Sequence, residues 1–240
     1  MALVDEYVES AAPVGSSRIA QHYFTDVSPA TIRNELMNLE TEGYATSPHT
    51  SAGRIPTNTG YRVFVNTLLL RANLKYDSEN FIHETPWLSE LELYALDPDQ
   101  RIDRILADLS DLTGLLTMLW WVKPDSVVHH RGMPQLLAQP EFQNATALIP
   151  LMRLLEDESS LANLFYSILT GNGFVVKIGI EDNDGCLSSY SVIAEVIGKA
   201  QPQGVLAIFG PTRMDYRKVI PTIVHAQHLL NSLHTRIHNW

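Results

Sequence analysis

The chain has 240 residues, 45% of them apolar and 18% charged, with a formal charge of −10, so it can bury a core in one large domain or two modest ones and is too apolar for a disordered tail. Its single cysteine excludes a disulfide framework, and the acidic balance excludes a surface that clings to nucleic acid throughout, so any DNA contact has to be local. The longest apolar stretch, Leu115–Val122 counting Thr117, is far short of the ~20 residues a membrane helix needs, and the opening Met1-Ala2-Leu3-Val4-Asp5-Glu6 has neither the basic start nor the apolar run of a secretory signal. A cytoplasmic protein without a membrane partner is the expectation.

From the start to Arg71 the chain reads as three short helices and a hairpin, with the start at Met1 expected inside the first helix's opening turn. Five arginines there face seven acids, a net of −2, against −8 for the remainder. Ser16 after Gly15 opens a helix expected to reach Tyr23, with Ile19 and Ala20 inward. A short turn leads to Ser28-Pro29-Ala30-Thr31-Ile32-Arg33-Asn34-Glu35-Leu36-Met37-Asn38-Leu39-Glu40-Thr41-Glu42-Gly43, which has a Ser cap, Pro at the first helical position and Gly at the exit. At about 100° per residue, Ile32, Leu36 and Leu39 form one stripe, and Ala30, Asn34, Met37 and Asn38 lie opposite it, flanked by Thr31 and Arg33. Such a face suits a major groove, because Asn can bond adenine N6 and N7, Ala can touch a thymine methyl and Arg can hold guanine or phosphate. Composition alone favours an ordinary solvated face. Helix-turn-helix spacing and a following hairpin, Tyr44–Pro48 with Arg54–Thr57 around His49-Thr50-Ser51-Ala52-Gly53, favour the DNA reading and make that hairpin a wing.

Ala72–Gln100 reads as a connector interrupted by Pro86 and Pro98, with at most short helical pieces and the domain boundary inside it. Beyond it, Ile102, Ile105, Leu106, Leu109, Leu112 and Leu116 share one face of an amphipathic helix that should cover a sheet. Strands are expected at Leu119–Val122, Ser126–His130, Phe174–Glu181, Ser189–Glu195 and Gly204–Phe209, and helices at Ala147–Leu155, Ser160–Leu169 and Arg217–Ile237. The fold class is α+β.

Pro13-Val14-Gly15-Ser16, the run from Ser28 to Glu35, and Pro48-His49-Thr50-Ser51-Ala52-Gly53-Arg54-Ile55-Pro56-Thr57 with Gly60-Tyr61-Arg62 closely resemble the HrcA family of heat-inducible transcription repressors. Pro140-Glu141-Phe142, Ile178-Gly179 with Glu181, and the run from Gly210 to Tyr216 resemble that family as well. The resemblance implies an amino-terminal winged helix-turn-helix over 1–71, the connector over 72–100, and a shortened GAF-like α/β sandwich over 101–240. It further implies a homodimer on double-stranded DNA, at an inverted-repeat operator called CIRCE upstream of chaperone operons, with activity linked to the chaperonin. Carried over by position, the DNA-contacting set is Ser16, Arg18, Ser28, Ala30, Thr31, Arg33, Asn34, Asn38, His49, Thr50, Ser51, Gly53, Arg54 and Arg62, with Ser16 and Arg18 on phosphate, while Glu35 and Glu40 serve packing or local ion pairs. No cofactor, metal or catalytic residue is expected.

Family members are longer, and the stretch between Val122 and Gly132 stands where they carry several strands and an inserted dimerising segment. The protomers are then expected to pair through the helix from Ile102 or the carboxy-terminal helix. Two alternatives remain: a GAF-like small-ligand sensor, or a paralogue that has lost DNA binding. Other signals are weaker. His225, His228, His234 and His238 fall as two pairs on different helix faces, not as one ligand set. His129 and His130 point to opposite sides of a strand. Cys186 reads as a loop residue, and Trp120 and Trp121 as one inward and one outward ring. Gly210–Tyr216 reads either as an anion-holding turn or as a strand-to-helix turn with Arg213 and Asp215 on helix-end groups.

Overall fold

The structure, a computed structural model, describes residues 1–49, 52–75, 93, 95–122, 128–170, 173–179, 188–198 and 202–237. Thr50, Ser51, Pro86, Ser126, Glu181, Cys186, His238 and the side chain of His234 lie outside the described residues. Two compact units emerge, one of Met1–Tyr76 with Thr212–Asp215 and one of Asp77–Pro211 with Tyr216–Trp240.

In the amino-terminal unit, α1 (Ala2–Ser10), α2 (Ser16–Tyr23) and α3 (Pro29–Thr41) precede a ribbon of β1 (Ala45–Thr46) and β2 (Ile55–Pro56), paired antiparallel, and α4 (Asn58–Lys75) follows. The Ser28 hydroxyl accepts the Thr31 amide at 3.1 Å, Pro29 occupies the first turn, and Gly43 leaves the helix at φ +79°, a conformation that disfavours a side chain. Leu3, Val14, Ile19, Ala20, Ile32, Leu36 and Ala45 form the core beneath. A fourth helix, α4, stands where three were expected, and it carries Ala72–Lys75 out of the expected connector. Its inward residues Tyr61, Phe64 and Val65 keep helical spacing, but Val63 and Leu70, both exposed, blur the stripe.

The second unit contains α5 (Pro98–Thr113), which takes Pro98–Gln100 out of the expected connector. Pro98 starts the helix, because Asp97 accepts the Gln100 amide at 2.9 Å while the Gln100 side chain accepts the Asp97 amide at 3.3 Å. The helix also ends sooner than its apolar period suggests. Gly114, at φ +69°, terminates it, and Leu116 belongs to the next strand. Five strands, β3 (Leu116–Trp121), β4 (Val128–Arg131), β5 (Phe174–Ile178), β6 (Tyr190–Ile197) and β7 (Gly204–Pro211), form one antiparallel sheet in the order β4-β3-β7-β6-β5. α6 (Met133–Leu137), α7 (Ala145–Glu156) and α8 (Glu158–Leu169) lie between β4 and β5 in the chain, and α9 (Tyr216–Ile237) follows β7.

Strand alternation assigns the two faces. Leu116, Met118 and Trp120 of β3, with Val192, Ala194 and Val196 of β6, pack beside Leu136, Leu151, Leu161, Phe165 and Ile168 from α6 to α8. Trp120 turns inward onto Phe165, with ring centres 5.7 Å apart. The opposite face meets α5 and α9: Thr117 donates to the Leu106 carbonyl at 2.9 Å, and Tyr216 shares a hydrogen bond with Ser191 at 3.1 Å. The helix from Ile102 therefore does cover the sheet, as its stripe requires. The exposed large apolar side chains Leu137, Ile149 and Tyr166 belong to the other helical layer.

Candidate nucleic-acid interface

The ridge opposite the buried stripe of α3 faces solvent. Ala30, Thr31, Arg33, Asn34 and Asn38 are exposed, and Met37, at 50% exposure, adds a bare apolar side chain between the amides. The side chains of Arg33, Asn34 and Asn38 form no hydrogen bond or ion pair among the described residues, so their donors and acceptors are open to a ligand. Ser28 and Thr31 differ, since their hydroxyls bond each other at 2.9 Å and serve the cap.

A cleft of about 340 Å³ opens beside this ridge, between the start of α2, α3 and the ribbon. Gly15, Ser16, Arg33, Met37, Gly53 and Arg54 line it. Three segments meet there because the chain passes itself closely. Val14 and Arg54 exchange backbone hydrogen bonds of 2.9 Å, and a Cβ on Gly53 would stand 2.4 Å from the Val14 carbonyl carbon. That approach requires glycine. The ribbon is shorter than expected, two residues per strand rather than four or five. His49 is exposed, and its carbonyl accepts the Ser47 hydroxyl at 2.7 Å and the Ala52 amide at 2.9 Å, which shapes the turn.

The four arginines expected at DNA are not equivalent. Arg33 is exposed and unpaired, while Arg62 lies half-buried on α4. Arg18 forms an ion pair with Glu6, whose other carboxylate oxygen meets His22 Nδ1 at 2.5 Å. Arg54 meets Glu40 at 2.7 Å. Glu6 is 1% exposed. Its burial pulls the carboxyl upward, but the hydrogen bonds from His22 and Arg18 outweigh that and hold it below the usual carboxylate range. Of packing and a local ion pair, the two roles expected of Glu40, it takes the ion pair, and Glu6 was not expected to take part. The signal for Glu6 was available: a carboxylate next to Leu3 and Val4 on the inward side of α1 needs partners on the next helix.

Elsewhere, the turn Thr212–Asp215 groups with the amino-terminal unit, and Arg213 donates to the Val8 carbonyl at 2.7 Å in the last turn of α1. This is helix-end satisfaction, as one of the two readings of that turn held, though the helix served is the first. Glu195 on β6 is half-buried, its Oε2 is enclosed and unbonded among the described residues, and burial pushes its carboxyl up to about 7. Among the described residues, no helix is long and apolar enough to cross a membrane.

The family described as HrcA protein C terminal domain matches residues 80–220, more than half of the chain. The chain belongs to the HrcA family. HrcA relatives named heat-inducible transcription repressors align along nearly all of it. That of Carboxydothermus hydrogenoformans is 27% identical, covering 93% of this chain and 92% of its own. Pelotomaculum thermopropionicum HrcA is 28% identical, with 93% and 91% covered, and Geobacter sulfurreducens HrcA is 25% identical, with 97% and 95% covered. These alignments run over 318 to 327 positions, more than the 240 residues present, so the HrcA relatives carry positions with no counterpart in this chain. Among solved structures, a crystal structure of a hypothetical protein at 2.2 Å resolution superposes with a TM-score of 0.75 at 18% identity, over 96% of this chain and 95% of that one, a likeness of fold. Each of these HrcA relatives is named for transcription repression and not for a catalysed reaction.

Proposed function

We propose that this chain is a cytoplasmic, sequence-specific DNA-binding repressor of chaperone operons, with α3 as the recognition helix of a winged helix-turn-helix and the ribbon as its wing. The carrying observation is the exposed ridge of α3, where Arg33, Asn34 and Asn38 have no partner among the described residues. Unpartnered amides on a well-capped, rigid helix suit base edges, because neither has to leave an internal bond to reach them. In this reading Ala30, Thr31, Asn34 and Asn38 face bases, and Arg33, Arg62 and Ser16 face phosphate. Ser28 presents and caps the helix, and His49, Thr50, Ser51 and Gly53 form the wing.

The operator is an inverted repeat of the CIRCE type, and a two-fold site calls for a homodimer that holds two recognition helices one helical turn or a multiple apart. The positions missing relative to HrcA proteins fall between β3 and β4, and the second unit is a shortened GAF-like domain. Repression is linked to the chaperonin: a marginally stable dimer loses its active fraction when unfolded protein competes for that helper. The test is a binding assay with an inverted-repeat duplex, its half-site and a scrambled duplex, run beside sedimentation. The reading expects a dimer that prefers the intact repeat by at least a hundredfold. Equal affinity for all three duplexes, or a monomer that binds none, overturns it.

A further inference from the structure

Arg54 stands at the base of a turn flanked by hydroxyls, where a phosphate grip would be expected. Its contacts are internal. Its backbone is locked to Val14, just ahead of α2, by the reciprocal 2.9 Å pair. Its guanidinium then reaches Glu40 near the end of α3 at 2.7 Å, and donates to the Ser47 hydroxyl and the Ala52 carbonyl, each at 3.3 Å, on the two limbs of the turn. The side chain is only 20% exposed. One residue thus ties together the entry to α2, the end of α3 and both sides of the hairpin.

We propose that Arg54 is a positioning residue for DNA recognition: braced by Glu40, it sets the angle of the wing against α3 and does not itself neutralise a phosphate. The proposal rests on the repressor reading above. A guanidinium already facing a carboxylate and two further oxygens would have to abandon all three to meet DNA. A pair that is neutral overall also contributes little to counterion release. Lysine cannot replace it, since one ammonium on a flexible stem cannot hold three acceptors in a fixed fork.

The test uses the full chain with Arg54→Lys, Arg54→Ala and Glu40→Ala, each checked by thermal melting. Affinity for the inverted repeat and for a scrambled duplex is measured from 50 to 200 mM salt. As a brace, Arg54→Lys and Arg54→Ala lose roughly tenfold alike on the repeat, keep the wild-type salt slope and leave the scrambled duplex unchanged. Glu40→Ala lowers the ratio of specific to scrambled affinity, and adding it to Arg54→Ala costs nothing further. Arg54→Lys binding like wild type, with Arg54→Ala flattening the slope by about one unit per protomer, would mark a phosphate contact and overturn the proposal. If the wild type itself does not distinguish the two duplexes, the repressor reading has failed. Hydrogen exchange then decides the brace alone: faster exchange of the Tyr44 and Thr57 amides in Arg54→Lys supports it, and unchanged exchange overturns it. Should Arg54→Ala not fold, Arg54→Lys and Glu40→Ala carry the comparison.

Discussion

Replacing Glu195 by Gln should change how stability depends on pH, in a direction that burial dictates. Glu195 sits in β6 between Phe174 of β5 and Leu206 of β7, with the buried Ile193 and Ile197 on its own face. No cation contributes to its shift; burial alone raises it from 4.5 to about 7. Between those values the unfolded chain has released a proton that the native protein keeps. Stability from this group is therefore fully present below pH 4.5, declines as pH rises and is lost above about pH 7. At about 1.4 kcal/mol per unit the whole change is about 3 kcal/mol as an upper bound, because the carboxylate is partly wetted. All four tryptophans lie beyond residue 76, so urea unfolding followed by tryptophan fluorescence reports on this unit. The stability of Glu195→Gln minus that of the wild type should rise by about 2–3 kcal/mol from pH 4.5 to pH 8, a difference from which the constant cost of burying an amide cancels. A difference flat to within about 0.5 kcal/mol over that range would refute the argument.

Four further outcomes follow from the amino-terminal unit. On the proposed reading, in which the Asn34 amide meets a base, Asn34→Ala should cost about 1–3 kcal/mol on the inverted repeat and little on a scrambled duplex, measured by titration. Gly53→Ala should destabilise the unit by about 2 kcal/mol or more in a thermal melt, because the new Cβ meets the Val14 backbone and neither chain can yield cheaply. Glu6 is shifted downward, so its contribution is present at neutral pH and is lost as pH falls through the lowered value; Glu6→Gln should remove that acid limb from the unfolding profile. With Arg18 and Arg54 held by carboxylates, the slope of log affinity against log salt should be shallower than the about −7 expected of a dimer in which four arginines per protomer meet phosphate, as read by titration across salt.

Local chemistry was the most legible part of the chain. Ser28, Pro29 and Gly43 delimit α3 through rules that act within four residues, and the period of Ile32, Leu36 and Leu39 identifies the exposed ridge without tertiary information. Pro98 was misread for want of one neighbour: a proline interrupts a helix unless the residue before it can cap, and Asp97 with Gln100 makes that box. Leu116 continued the period of α5 by coincidence, and only Gly114 separates the two elements. The roles of the arginines were the least legible. All four look alike in sequence, but the carboxylates that engage Arg18 and Arg54 come from 12 and 14 residues away, through packing that no local pattern encodes.

The strand order also bears on how such a chain can change length. β4 is the margin of the sheet and, among the described strands, pairs with β3 alone, from Thr117 opposite Arg131 to Trp120 opposite Val128. The remaining ladders, from β3 through β7 and β6 to β5, close without it. A change of length between β3 and β4 would therefore disturb the outermost pairing first and leave the register of β3, β7, β6 and β5 as it is.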